Sequence, residues 1–136
     1  MKVTRLTLIA FIAAACSVAQ AADQKWTGSP QDWTSPTERD CRLRVTSVSQ
    51  PSANGPVALS VTNLGDKTTT FSFMVRVTRS GQATFEDRVV FGRKLPGSVS
   101  QRSTSKYLNG SLQGAEIMLN LRGCYPTSKD NPALTH

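Results

Sequence analysis

Cysteine and histidine are the residues of this chain with the widest range of chemistry, and both are scarce. The chain has three cysteines, Cys16, Cys41 and Cys124, and one histidine, His136. Two cysteines can form a disulfide, bind a metal or provide a reactive thiol. No Cys-x-x-Cys spacing occurs, and one terminal histidine adds too little for a zinc site. We therefore expect no metal and no cofactor.

The pattern of bases and carboxylates does not indicate catalysis. A nucleophile needs a base beside it, and His136 stands in a tail of proline, threonine and asparagine. A glycosidase needs two carboxylates, for which we considered Glu86, Asp87 and Glu116. Neighbouring residues of a strand point to opposite faces, so Glu86 and Asp87 cannot act together there. The prediction is that the protein is not an enzyme.

Residues 1–22 have the pattern of an export signal. Lys2 and Arg5 precede an uncharged apolar run at 6–15, and Ala19-Gln20-Ala21 follows as a cleavage motif. The run is shorter than the roughly 20 apolar residues of a membrane-spanning helix, and no later segment approaches that length. We expect cleavage after Ala21 or Ala22, no transmembrane helix in the mature chain, and a periplasmic or extracellular location.

Cys16 leaves an alternative open, because small residues precede it as they do at bacterial lipidation sites. The protein would then be anchored through a lipid on Cys16. Either outcome removes Cys16 from the free thiols and leaves Cys41 and Cys124, which favours a disulfide between them. Such a bond closes most of the domain and would stabilise it by about 4–5 kcal/mol.

Residues 23–40 form an N-terminal arm with an irregular composition. Proline, glycine and serine exclude a helix or an inner strand. The arm nevertheless contains both tryptophans of the chain, Trp26 and Trp33. Two interpretations remain: the rings cover an open edge of the fold, or they bind a partner, since tryptophan is frequent at binding hot spots.

From residue 41 to 125 the apolar residues alternate, which is typical of strands with one buried face. Turn residues separate about seven short segments of this kind. The clearest stripes are Cys41, Leu43 and Val45; Val57, Leu59 and Val61; Phe71, Phe73, Val75 and Val77; Phe85, Val89 and Phe91; and Ile117, Leu119 and Leu121. We predict an all-β protein: an antiparallel β-sandwich domain at 41–125, closed by one disulfide and followed by a flexible tail at 126–136.

Cys124 does not share the parity of Ile117, Leu119 and Leu121. A β-bulge at Gly123 would return its sulfur to the core. Without a bulge the disulfide would lie at the rim.

The segment 57–77, VALSVTNLGDKTTTFSFMVRV, resembles the strand–turn–strand unit of secreted bacterial immunoglobulin-like and fibronectin-III-like domains. The resemblance covers about a fifth of the mature chain and implies architecture only, because this fold carries many functions. Two antibody-type features differ. No tryptophan follows the first cysteine, and the cysteine spacing does not suit a bridge between middle strands of the two sheets.

The charge pattern offers a candidate anion site. The formal net charge is +7, and no acid occurs between Asp87 and Glu116. That interval contains five cations, Arg88, Arg93, Lys94, Arg102 and Lys106. If their strands are neighbours, they form a basic face for phosphate, sulfated glycan or an acidic protein. The alternative is a solvated surface that only aids solubility. The few aromatic residues nearby do not favour nucleic acid.

Three apolar residues lie out of parity with the inward stripes: Met74, Val90 and Met118. They predict either an adaptable contact surface or an outer face covered by the arm. Both interpretations require that Met74 or Met118 is not fully exposed. Finally, Asn109-Gly110-Ser111 is a strong hairpin signal and, in a eukaryotic host, a glycosylation motif at Asn109.

Together these patterns predict an exported, non-enzymatic interaction domain with a protein partner in the cell envelope or outside the cell. The candidate partner-binding residues are Trp26, Trp33, Met74 and Met118. One alternative is a small polyanion- or glycan-binding module that uses the 88–106 stretch. Another is an inhibitor or immunity protein that blocks an enzyme with a loop.

Overall fold

The structure is a computed structural model that describes residues 23–35, 38 and 40–126. The predicted export signal, Cys16, His136 and most of the predicted tail lie outside the described residues. Eight strands follow one another along the chain: β1 (Asp23–Lys25), β2 (Gln31–Thr34), β3 (Arg42–Ser49), β4 (Pro56–Asn63), β5 (Thr69–Thr78), β6 (Phe85–Lys94), β7 (Val99–Tyr107) and β8 (Glu116–Pro126).

The strands form two four-stranded sheets packed face to face. Sheet A has the order β1-β8-β5-β6, and sheet B has the order β2-β3-β4-β7. Every strand pairing is antiparallel. This confirms the predicted all-β antiparallel sandwich. None of the described residues belongs to a helix, so none of them forms a helix that could cross a bilayer.

The core lies between the sheets and consists of the alternating stripes. The inward residues of β5, Phe71, Phe73, Val75 and Val77, are at most 1% exposed. The Phe71 ring stacks on Phe91 at a centroid distance of 4.8 Å. The inward stripes of β3, β4 and β8 are buried as well. The period-two pattern therefore identified the core face of each of these strands.

The arm is less irregular than its composition indicated, because it forms two short strands. The domain after it has six strands, β3 to β8, where about seven were expected. Residues 23–25 pair with β8 at the edge of sheet A. Residues 31–34 pair with β3 at the edge of sheet B. Both segments are short edge strands. The proline and glycine of the arm lie outside these strands, so they remove no hydrogen bonds from either sheet. The arm thus extends both sheets.

The disulfide joins Cys41, directly before β3, to Cys124 in β8. The register of β5 with β8 shifts beyond Ser72, which faces Gly123, whereas Phe73 faces Leu121. Arg122 is the extra residue of this bulge, so Cys124 faces Phe71 and packs against the core. Of the two alternatives, the bulge is the one present. The bridge also connects middle strands of the two sheets, which the cysteine spacing had not indicated.

Asn109-Gly110 does not form the predicted hairpin. The strand before it, β7, belongs to sheet B and the strand after it, β8, to sheet A. The segment 108–115 therefore crosses between the sheets. Its place is fixed by hydrogen bonds from Arg79 Nη1 to the Asn109 carbonyl at 2.7 Å and from Gly110 N to Asn54 Oδ1 at 2.7 Å. The side-chain period alone cannot tell such a crossing from a hairpin.

Candidate functional site

The two tryptophans have different environments, and the partner-binding prediction for Trp33 is wrong. Trp33 is 0% exposed and packs edge-on against Phe73, with ring centroids 5.7 Å apart. Its ring closes the β2 side of the core, which is the first of the two interpretations. Trp26 is half-buried against the same core, and its backbone N donates to the Ile117 carbonyl at 2.8 Å. Neither ring covers the outer face of sheet A.

The basic stretch does not form a single face. Arg88 lies on β6 in sheet A, whereas Arg102 and Lys106 lie on β7 in sheet B. Arg93 and Lys94 end β6, next to the loop that crosses to β7. Strands β6 and β7 do not pair in one sheet, but they are neighbours at one edge of the sandwich, where Lys106 N donates to Asp87 Oδ2 at 2.9 Å. The cations therefore lie around that edge, with the Asp87 carboxylate among them, and not on the face of one sheet.

Asp87 connects β6 of sheet A with β7 of sheet B at one edge of the sandwich. Its Oδ2 accepts hydrogen bonds from Ser105 N at 2.8 Å, Lys106 N at 2.9 Å and Ser105 Oγ at 3.1 Å. Its Oδ1 accepts from Arg88 N at 2.9 Å. Partial burial opposes ionisation of Asp87, but these donors outweigh it and hold the pKa of the carboxyl below its ordinary value. The carboxylate is therefore a structural link between the sheets.

The Asp87 link is expected to weaken in acid. Because its pKa is lower in the folded than in the unfolded protein, the carboxylate stabilises the fold above the ordinary value of 3.8. That contribution is lost as the pH falls through the folded pKa. At pH 7, Asp87→Asn should reduce the free energy of unfolding by about 1–2 kcal/mol. Urea titrations from neutral to acidic pH should show the gap between the proteins narrowing; a pH-independent gap would contradict the link.

A groove runs along β5 on the outer face of sheet A, and we call it the outer groove. Its cavity of about 410 Å³ is lined by Thr70, Phe71, Ser72, Arg88, Val90, Arg122, Gly123 and Tyr125. The register explains its shape, since Ser72 faces Val90 on β6 and Gly123 on β8, while Thr70 faces Tyr125. Small residues therefore form the floor, and the longer side chains of β6 and β8 form the walls.

The walls of the outer groove carry charge and apolar surface. Val90 and Tyr125 are each 42% exposed. Arg88 and Arg122 are exposed, and within the described residues their guanidinium groups form no salt bridge or hydrogen bond. The other arginine on this face, Arg76, is paired with Glu86 at 2.8 Å. The groove thus offers two uncommitted guanidinium groups beside an aromatic ring.

Met74 and Met118 lie next to the outer groove on the same face. They line a smaller depression together with Asp23, Arg76, Asn120 and Arg122. Both methionines are half-buried, as both interpretations of the out-of-parity residues require. Arg122 borders both depressions, so the apolar and basic residues of this face are continuous.

The connection between β6 and β7 is the second exposed feature, and we call residues 95–99 the apolar loop. Leu95 is 62% and Val99 65% exposed, more than the other large aliphatic residues in the described part of the chain. A turn brings Ser98 N and Ser98 Oγ to the Leu95 carbonyl at 3.1 and 2.7 Å. Gly97 adopts φ 79°, which this turn requires and which glycine accepts without strain.

Buried Asn63 anchors the backbone of the apolar loop by hydrogen bonds. Its Nδ2 donates to the Lys94 carbonyl at 2.9 Å, and its backbone carbonyl accepts from Gly97 N at 2.8 Å. Its backbone N donates to the Ser98 carbonyl at 3.2 Å. At the start of the loop Arg93 has φ 46°, a conformation that costs a non-glycine residue about 1–2 kcal/mol. The loop is therefore anchored at three points while its apolar side chains face solvent.

Sequence reasoning identified Arg88 but missed Arg122, Tyr125 and Leu95. Arg122 lies outside the interval between Asp87 and Glu116 that contains no acid. Because Arg122 is the extra residue of the β-bulge, the bulge decides on which face of β8 Tyr125 lies. Proline and glycine, as at Pro96 and Gly97, are typical of a turn, but these residue types do not show that the turn crosses between sheets. In the described residues no group of three or more histidine, cysteine or acidic residues could hold a metal ion.

The geometry defines the protein as a disulfide-linked antiparallel β-sandwich with two exposed surface features, the outer groove and the apolar loop. Comparison with protein-family models, curated proteins and solved structures finds no match for this chain. The resemblance to immunoglobulin-like domains therefore stays a prediction. The disulfide itself is compatible with a location outside the cytoplasm.

Proposed function

We propose that the protein is an exported, non-enzymatic interaction domain that binds a protein partner through the apolar loop. The observation that carries the proposal is the combination of exposure and anchoring at Leu95 and Val99. Exposed apolar side chains on a fixed backbone lose little conformational freedom on binding, so more of their burial contributes to affinity. A hydrophobic cleft of a protein is the partner surface that such a loop fits.

The immunoglobulin-like architecture is part of this proposal. Its support is the order of six strands, β3-β4-β7 in one sheet and β8-β5-β6 in the other. With β3 as the first strand, the neighbours correspond to the A-B-E and F-C pairings of such sandwiches. Strand β1 occupies the place beside β8 where the last strand of such a domain lies. Loops at one end of these sandwiches commonly provide the binding residues.

The loop also favours the inhibitor alternative over the polyanion alternative. A loop-based inhibitor needs a fixed exposed segment, which residues 95–99 provide. A polyanion module needs a continuous basic surface, and the cations of the 88–106 stretch are divided between two sheets. Cleavage-type protease inhibition is not what we propose, because the Leu95 carbonyl is already engaged by Ser98.

The proposal is tested by placing a photoreactive phenylalanine analogue at position 95 of the protein in its own host. We expect one predominant crosslinked protein, and Leu95→Asp should reduce recovery of that protein at least about tenfold, the effect of losing a hot-spot residue. The matched control is Gln82, which is exposed in the β5–β6 hairpin.

Crosslinking at position 82 should not yield the same protein, and Gln82→Asp should leave its recovery unchanged. The thermal unfolding midpoint of Leu95→Asp should stay near that of the parent, because Leu95 is 62% exposed. Equal recovery with Leu95→Asp and with the parent protein would overturn the proposal.

A further inference from the structure

We propose that the outer groove is a recognition site for a carboxylate, provided by an acidic peptide segment of a protein and bound by Arg88 and Arg122. This site is separate from the apolar loop, and its chemistry does not depend on the function proposed for that loop.

The cations of this face divide into two groups. Arg76 is satisfied by Glu86 at 2.8 Å, and Lys25 lies 3.7 Å from Glu116. Arg88 and Arg122 have no such partner within the described residues. A guanidinium group carries its donors in a planar fork that matches the two oxygens of a carboxylate. The face therefore has two free carboxylate receptors, and both line the same groove.

The shape of the groove fits an extended peptide. Arg88 and Val90 stand on β6, Arg122 and Tyr125 on β8, and β5 runs between them. Two strand spacings separate the walls, or about 10 Å. The floor is low because Ser72 and Thr70 are small and buried and Gly123 has no side chain. A segment lying along β5 would place an acidic side chain between the arginines.

The surroundings favour a single carboxylate over a polyanion. Three acidic residues, Asp23, Glu86 and Glu116, lie on strands of the same sheet. Glu86 and Glu116 offset Arg76 and Lys25, so this face keeps only two unpaired guanidinium groups among its described residues, too few for a linear sulfated or phosphorylated chain. Arg102 and Lys106, which such a chain would need, lie on sheet B. Val90 and Tyr125, each 42% exposed, instead suit apolar residues that flank a glutamate or aspartate in a peptide.

The test uses two peptide probes with an uncharged BODIPY label, Gly-Leu-Glu-Leu-Gly amide and the same peptide with glutamine in place of glutamate. Fluorescence anisotropy with the disulfide-bonded protein at low salt should show the glutamate peptide binding about tenfold more tightly, since hydrogen bonds to charged groups are the stronger ones. Amide NMR shifts on adding the glutamate peptide should be concentrated at residues of the outer groove. Equal binding of the two peptides would overturn the proposal without any variant.

Four variants test whether the peptide binds in the outer groove. Arg88→Gln and Arg122→Gln should each weaken binding of the glutamate peptide about tenfold, whereas Arg102→Gln on β7 should leave it unchanged. Gly123→Ala should also weaken binding by raising the floor of the groove. Its added Cβ would meet Ser72 Oγ at 3.6 Å and Tyr125 Cε1 at 4.0 Å, which are ordinary contacts, so the fold should be retained.

Two further outcomes would overturn the site. One is an equal loss of binding with Arg102→Gln, which would indicate attraction to overall charge. The other is displacement of the glutamate peptide by a sulfated disaccharide at lower concentration than by unlabelled peptide, which would indicate a glycan site. Leu95→Asp separates the two proposals, because it should abolish capture of the loop partner and leave peptide binding unchanged.

Discussion

Replacing Cys41 and Cys124 together with alanine is expected to reduce the free energy of unfolding by about 4–5 kcal/mol. The bond joins residues 83 positions apart, so its loss restores a large conformational freedom to the unfolded chain. Domains of this kind are stable by only about 5–15 kcal/mol in total. The double variant should therefore show a much lower guanidinium midpoint, which far-UV circular dichroism can follow.

The matched control for the disulfide is the parent protein after reduction. It keeps both sulfur atoms in place and lacks only the bond, and Cys41 is 1% exposed, so its sulfur contributes to packing as well. We expect the reduced parent to lose most, but not all, of the stability that the double variant loses. An unchanged midpoint on reduction would contradict the stabilising role of the bond.

Replacing Trp33 with alanine is expected to cost about 3–5 kcal/mol, the range for truncating a large buried aromatic residue. Trp33 is 0% exposed and contacts the Phe73 ring, so the substitution would leave a cavity between β2 and the centre of the core. Urea unfolding measures the loss directly. A cost below about 1 kcal/mol would mean that β2 is not part of the cooperative fold.

Two related substitutions separate the causes of that loss. Trp33→Phe keeps an aromatic ring and removes the buried Nε1, which has no hydrogen-bond partner within the described residues. An unpaired buried donor is itself unfavourable, so this variant should cost much less than Trp33→Ala. Trp26→Ala should also cost less, because Trp26 is only half-buried. If the three variants were equally destabilised, the core position of Trp33 would be wrong.

The strands could be predicted where burial alone decides the pattern. In β5 the apolar residues Phe71, Phe73, Val75 and Val77 occupy every second position, because successive side chains point to opposite faces and only one face is fully buried. The mismatch in parity between Leu121 and Cys124 also indicated a bulge as one of two alternatives, and the register of β5 with β8 decides between them. The core positions of a strand can therefore be predicted from the sequence of that strand alone.

The edge strands and the surfaces depend on information that a single segment does not contain. Residues 31–34 pair with β3 over a very short stretch between breaker residues, and the inward position of Trp33 follows only from that pairing. Arg88 and Arg122 meet at one groove because β5 lies between their strands, which a sequence pattern cannot show. Leu95 is exposed because its loop changes sheets. Strand order, rather than side-chain period, decides each of these cases.

The row of residues at one end of sheet A has a practical consequence for work with this protein. Thr69 has Pro126 on one side and Lys94 on the other, so the described chain leaves β8 at the end where the apolar loop begins. A fluorescent protein or affinity tag attached directly after Pro126 would lie close to that loop. The β5–β6 hairpin lies at the opposite end, and residues 80–84 there are exposed. An insertion in this hairpin would label the protein and leave the end with the apolar loop open.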